Sequence, residues 1–191
     1  MAVPACIKRG GDVCHVVPGS TRCFAVYQGD LAPVLIAVGA RVTFVSTDKA
    51  EEVPLESLFT GDGRKPFRNA EGTILARISI PCSSPTVLRY KKYRLRNGID
   101  FPLAGAAVAL FMNNDVIAGI RVCLTGVWPS PVLVNKAAEI ACNRSLDAAA
   151  ARDLADAAYE AAHPLPNLEG SPEQRRYMVR RMVRDIFETL C

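Results

Sequence analysis

A chain of 191 residues has room for one domain, or one and a half, with a buried core. Hydrophobic residues make up 50% of it and charged residues 22%, which excludes an intrinsically disordered chain. The net charge of +4 is too small and dispersed for a nucleic-acid surface, and the longest apolar run, Leu31 to Ala40, is too short to span a bilayer.

Residues 1–29 are rich in Gly, Cys and charge and follow neither helical nor strand periodicity. Such a segment forms no core alone, so a metal or a neighbouring domain must order it. The start has no apolar leader, and the seven cysteines are therefore expected to be reduced thiols or metal ligands in a cytoplasmic protein. Cys6, Cys14 and Cys23 sit among glycines that let backbone amides approach sulfur, as a metal–sulfur cluster needs. Their spacing matches neither a ferredoxin run nor a zinc knuckle, so free thiols in a loop are the competing reading. His15 is a possible but unneeded further ligand.

A short helix is expected after Asp30, with Pro33 in its first turn and Gly39 at its end, followed by a strand over Arg41–Val45. Asp30 either caps that helix or reaches a nucleotide. The glycine-bearing stretch 60–72 reads as a domain boundary, dividing the chain into 1–60 and 61–191. Beyond it, strands are expected over Thr73–Ile80, Val87–Arg94, Leu103–Met112 and Val116–Leu124, with a tight turn at Asn113-Asn114-Asp115. Helices are expected over Val134–Cys142, Asp147–Ala162 and Pro172–Leu190. Strands followed by helices in separate blocks predict an α+β fold, a small antiparallel sheet packed with three helices.

The last helix carries apolar Tyr177, Met178, Met182, Val183 and Ile186 on one side and Arg176, Arg180 and Arg184 on another, a pattern that suits packing on the sheet or docking to a partner. Along Tyr90–Arg96, basic residues alternate; a lysine there either faces solvent or stabilises the reduced form of a flavin. No nucleophile–base pair, metal-binding His/Glu helix or complete phosphate-binding glycine loop occurs, which argues against self-sufficient catalysis.

Four stretches carry a resemblance: Cys6 to Gly39, Pro54 to Pro66, Arg94 to Gly105 and Leu124 to Pro131. Together they resemble the flavoprotein subunit of 4-hydroxybenzoyl-CoA reductase and, more broadly, the FAD-binding subunits of carbon monoxide dehydrogenase, xanthine dehydrogenase and other molybdenum hydroxylases. The resemblance implies the C-terminal part of an FAD-binding domain followed by an α+β domain, in an electron-transfer subunit of an oxidoreductase complex. It implies FAD contacts at Asp30, Leu75 and Lys92, with Lys91 the alternative to Lys92. It implies partnership with a molybdopterin-binding large subunit and a 2Fe–2S small subunit. In the 4-hydroxybenzoyl-CoA reductase branch a loop binds a 4Fe–4S cluster through four cysteines, and the last three are spaced as Cys6, Cys14 and Cys23 are. The first cluster cysteine and both glycine-rich stretches for the FAD diphosphate would precede Met1. The resemblance therefore implies an N-terminally truncated chain, with the upstream half either a separate polypeptide or lost by truncation of the gene. Alone, such a chain is expected to hold little iron, with residues 1–29 its most mobile part. Cys82, Cys123, Cys142 and Cys191 are expected to be plain structural thiols. The competing function is a cofactor-free module that only docks to other subunits.

Overall fold

The computed structural model describes residues 3–68, 71–82 and 85–190. Helix α1 (Leu31–Ala37) leads into β1 (Arg41–Val45), β2 (Ala50–Pro54) and β3 (Ile74–Ser79), which form an antiparallel sheet in the order β2-β1-β3. The second sheet, also antiparallel, runs β4 (Val87–Tyr93), β5 (Ala104–Asn113), β6 (Val116–Thr125), β7 (Val132–Leu133) in sequence order. Helices α2 (Ala137–Ala141), α3 (Ala148–Ala161) and α4 (Pro172–Glu188) follow, so the fold is α+β as expected. Among the described residues no helix is long and apolar enough to cross a membrane.

In sequence the stretch 60–72 lies between β2 and β3, and Leu75 of β3 pairs with Phe44 of β1 in the first sheet. Glycine and proline mark a turn of the chain, and a turn within a sheet has the same composition as a linker. The break between the sheets falls later, between β3 and β4.

The two central strands of the second sheet are buried on both faces, which accounts for the run of small residues in β5. Ala104, Ala106, Val108 and Leu110 pack with Ile120, Val122 and Leu124 against α3 and α4. Ala107, Ala109 and Cys123 face the other way, against Ile36 and Ala37 of α1 and Leu55 and Leu58. Because strand side chains alternate, the register Lys91↔Ala106 and Lys92↔Gly105 sends these neighbouring lysines to opposite faces. Lys91 pairs with Asp185 of α4 at 3.6 Å, and Lys92 points toward the start of α1.

Helix α3 starts where the Asp147 side chain accepts from the Ala150 amide, and α4 where Ser171 accepts from Gln174 with Pro172 in the first turn. Val179, Met182, Val183, Ile186 and Phe187 make the buried stripe of α4. The stripe is rotated from the expected one: Tyr177 is 57% exposed, whereas Arg175 is fully buried. Nor are the arginines a free basic patch. Arg180 pairs with Asp156 of α3, Arg184 with Glu188, and Arg176 lies 4.0 Å over the Tyr159 ring.

The segment before α1 holds one short 3₁₀ turn, Ile7–Arg9. Distant parts of this same chain order it. The Tyr27 amide donates to the Trp128 carbonyl at 2.9 Å, the Asn167 side chain to the Phe24 carbonyl at 2.9 Å, and the Gly63 amide to the Cys23 carbonyl at 2.8 Å.

Candidate functional site

The start of α1 is where the two sheets' units meet chemically. Asp30 stands at the N-cap position, yet its side chain makes no capping bond. It turns across to β4 instead. Tyr90 Oη donates to Asp30 Oδ1 at 2.5 Å, and Lys92 Nζ donates to Asp30 Oδ2 at 2.7 Å. Lys92 also donates to the Asp100 carbonyl at 2.9 Å. An ammonium has three donors, so one remains for something else. The Lys92 side chain is 21% exposed and that of Asp30 44%, so the pair is in reach of solvent rather than sealed in the core.

Glycine makes this arrangement possible. A Cβ at Gly29 would lie 2.2 Å from Tyr27 Oη, and one at Gly105 would lie 2.8 Å from Tyr90 Oη. Both tyrosine hydroxyls therefore occupy space that a side chain would take. The Gly29 carbonyl accepts from Thr125 Oγ1 at 3.0 Å, which ties the strap 27–30 to the end of β6. Burial raises the pKa of Tyr90, and its bond to Asp30 and the carboxylate charge raise it further. Burial also raises that of Tyr27, followed by the nearby Cys123 and Asp30. Both phenols are thus neutral donors next to a carboxylate.

Leu75 is not part of this network. It lies on β3, 43% exposed, and lines a separate cavity of about 190 Å³ with Phe44, Leu58, Phe67 and Thr73. Tyr27 and Tyr90 are the site residues that sequence reasoning passed over. Their signal was a glycine close to each hydroxyl, Gly29 two residues along the chain from Tyr27 and Gly105 diagonal to Tyr90 on the paired strand, the latter visible only once the register is known.

The second candidate centre is the cysteine segment. Cys6, Cys14 and Cys23 line one cavity of about 160 Å³, walled mainly by Ile7, Val16 and Phe24. Cys14 and Cys23 are buried and Cys6 is partly so. Burial pushes the Cys14 thiol up, but the Val17, Val16 and Phe24 amides outweigh it and hold the pKa below the ordinary value. The Val17 amide donates to Cys14 Sγ at 3.4 Å. Among the described residues no group of three or more His, Cys, Asp or Glu side chains is placed to hold a single metal ion. Cluster thiolates, by contrast, each bind a different iron and need to ring a space rather than converge on a point. His15 is on the rim, with its Nε2 donating to the Pro4 carbonyl at 2.9 Å.

The other thiols are unlike these. Cys123 is fully buried in the sheet core, where desolvation pushes it up to about 12. Cys82 is exposed in a loop, Cys142 ends α2, and Cys191 lies outside the described residues.

Residues 8–83 match the FAD binding domain in molybdopterin dehydrogenase, and residues 89–190 match the CO dehydrogenase flavoprotein C-terminal domain. The carbon monoxide dehydrogenase medium chain of Hydrogenophaga pseudoflava is 25% identical over 176 residues, covering 92% of this chain and 57% of that protein. The glyceraldehyde dehydrogenase medium chain of Sulfolobus acidocaldarius is 24% identical, covering 95% of this chain and 60% of that one. A solved structure of reconstituted CO dehydrogenase from Oligotropha carboxidovorans superimposes with a TM-score of 0.74 at 25% identity, over 82% of this chain and 54% of its counterpart. The chain thus spans less than two thirds of the length of these relatives. The first matched region contains Asp30 and the second Tyr90 and Lys92, so the network described above joins the two. With the second match covering more than half of its residues, this chain belongs to the FAD-binding medium subunits of the molybdenum hydroxylase family, of the CO dehydrogenase type.

Proposed function

We propose that the chain is the flavin-ring side of an electron-transfer subunit in a molybdenum-dependent hydroxylase, dehydrogenase or aryl-CoA reductase complex, with no catalytic residue of its own. The carrying observation is the Asp30–Tyr90–Lys92 network, which puts a cation with an unused donor at the junction of the two family regions. These residues fit the polar edge of a heteroaromatic ring. Lys92 would face the ring's electron-rich edge, Asp30 would fix that ammonium, and Tyr90 would keep Asp30 aimed. Leu75 in this reading offers an apolar contact from β3. FAD, when bound, supplies reversible electron storage between an outside partner and the metal centres of neighbouring subunits. The sequence carries no complete phosphate-binding glycine loop, so the diphosphate side belongs to residues other than these 191, in the same subunit or in a separate N-terminal fragment. The partners are a molybdopterin-binding large subunit and a 2Fe–2S small subunit.

Within the family, the cysteine site supports kinship with the 4-hydroxybenzoyl-CoA reductase branch. Three thiols around one cavity, one of them held toward thiolate by backbone amides, are a donor set suited to a 4Fe–4S cluster lacking one ligand. The competing docking function drew on the basic stripe of α4, whose arginines are engaged by Asp156, Glu188 and Tyr159 within this chain.

Co-expression with the two partner subunits and a fragment bearing the glycine-rich loops tests the flavin reading. The complex is expected to keep flavin through gel filtration, whereas the chain alone loses it. Lys92→Met is expected to weaken flavin retention about tenfold or more, the weight of one charge-assisted hydrogen bond. Lys91→Met, on the helix side, is expected to leave retention unchanged. Flavin held at one per chain by the isolated protein sinks the claim that the diphosphate half lies elsewhere. Equal retention in the Lys92 variant and the parent complex sinks the ring-side assignment.

A further inference from the structure

The cysteine site has a brace that no cysteine spacing reveals. Cys23 is gripped at both ends of its backbone by the turn of residues 60–64, which lies 39 positions downstream. Its amide donates to Asp62 Oδ1 at 3.1 Å, and its carbonyl accepts from the Gly63 amide at 2.8 Å. Two bonds to one residue's backbone fix the direction in which its side chain leaves. The neighbouring residue is held as well, because Arg22 Nη2 donates to the Gly61 carbonyl at 2.8 Å.

The turn is rigid in its own right. Thr60 Oγ1 accepts from the Asp62 amide at 3.0 Å, Asp62 Oδ1 accepts from the Arg64 amide at 2.9 Å, and the Thr60 amide donates to the Pro66 carbonyl at 3.1 Å. Its approach to Cys23 depends on a missing side chain. A Cβ at Gly63 would lie 3.0 Å from Cys23 Sγ and 2.8 Å from the Ala25 Cβ. Only a glycine allows the turn to close on the thiol.

We infer that residues 60–64 form a brace behind Cys23, with Asp62 and Gly63 as positioning residues that hold the Cys23 thiol in the cavity it shares with Cys6 and Cys14. Its purpose, presetting one ligand of an iron–sulfur cluster, rests on the reading of that cavity given above. The grip itself does not.

Timed alkylation of the reduced, iron-free full chain with iodoacetamide, read cysteine by cysteine by peptide mass spectrometry, tests the grip. In Asp62→Ala and in Gly63→Ala, Cys23 is expected to react about tenfold faster or more, the factor that one lost charge-assisted hydrogen bond carries in a local opening equilibrium. Asp62→Asn keeps an acceptor oxygen and is expected to stay within about threefold of the parent. Cys123, sealed in the sheet core, serves as the gauge of global unfolding and is expected not to change in any variant. Unchanged Cys23 labelling in both disruptive variants overturns the inference. So does labelling of Cys123 that rises in step with Cys23 in both, since the turn would then support the fold at large. Anaerobic addition of iron and sulfide, with a small thiol as the missing ligand, separates the two readings. A parent chain that takes up no iron, while Cys23 labelling behaves as expected, removes the cluster and leaves the grip standing.

Discussion

Arg175→Met is expected to lower the unfolding free energy by about 3 kcal/mol, roughly a hundredfold in the folding equilibrium. The guanidinium is completely buried in α4, and among the described residues no carboxylate pairs with it. It spends its donors on carbonyls instead: Nε to Leu103 at 3.1 Å, Nη1 to Leu165 at 2.7 Å, and Nη2 to Gly126. Those carbonyls close the ends of β5 and β6 and the connection before α4. Two effects oppose each other on substitution. Removing the charge relieves its desolvation, which already depresses the Arg175 pKa. It also orphans two buried acceptors, the Leu103 and Gly126 carbonyls, at about 1–3 kcal/mol each, while the part-buried Leu165 carbonyl keeps the Asn167 amide. The second effect wins because both buried acceptors fail together and methionine fills the space without replacing any donor. Thermal unfolding is expected to fall by about 6–12 °C for a chain of this size. Arg181→Met, which removes a mostly exposed pair with Asp185 on the same helix, is expected to change stability by no more than about 0.5 kcal/mol. A shift for Arg175→Met no larger than that for Arg181→Met would show that the buried guanidinium is dispensable.

Cys14→Ser is expected to abolish the iron–sulfur absorbance that the parent chain develops on anaerobic reconstitution with iron, sulfide and an added thiol as the missing ligand. Of the three thiols, Cys14 is the one whose thiolate the amides of Val17, Val16 and Phe24 favour. A serine hydroxyl in the same place is a harder and far less acidic donor, poorly matched to iron in a sulfide cluster. Cys142→Ser, at the end of α2 and away from the cavity, is expected to leave the spectrum intact. Equal absorbance from the parent and the Cys14 variant would exclude a cluster held by this loop.

Much of the architecture was legible in the sequence because local rules and burial agree there. Alternation predicted β1 over the residues it occupies, and Asn114, at φ +53°, takes the turn that its neighbours suggested. Ser171-Pro172 and Asp147 start their helices as capping chemistry requires. Strand β2 was not legible, since Ala50-Glu51-Glu52-Val53-Pro54 has neither alternation nor β propensity and is recruited by pairing with β1. The phase of α4 was misread for a related reason. Arginine on a helix normally marks the wet face, and only the three carbonyls brought by distant segments make Arg175 an interior residue. At the site, Asp30 and Lys92 were found through resemblance to a family, and the structure joins them directly. The role of Tyr90 and the grip of Asp62 and Gly63 on Cys23 depend on pairings 60 and 39 residues apart in sequence, which no local pattern encodes.

The straps on the cysteine segment also set a schedule for its maturation. Phe24 waits for Asn167, 143 residues further along the chain, and Tyr27 waits for Trp128. At a synthesis rate of about 5–20 residues per second, roughly 7–30 s separate the translation of Phe24 from that of Asn167. During that interval Cys6, Cys14 and Cys23 are outside the ribosome or in its exit path before all their anchors exist. Their thiols are then open to oxidants, stray metal ions and iron-delivery proteins alike. Any metal centre in this loop would consequently be completed only after Trp128 and Asn167 have been made, and until then its thiols lack part of the frame that positions them.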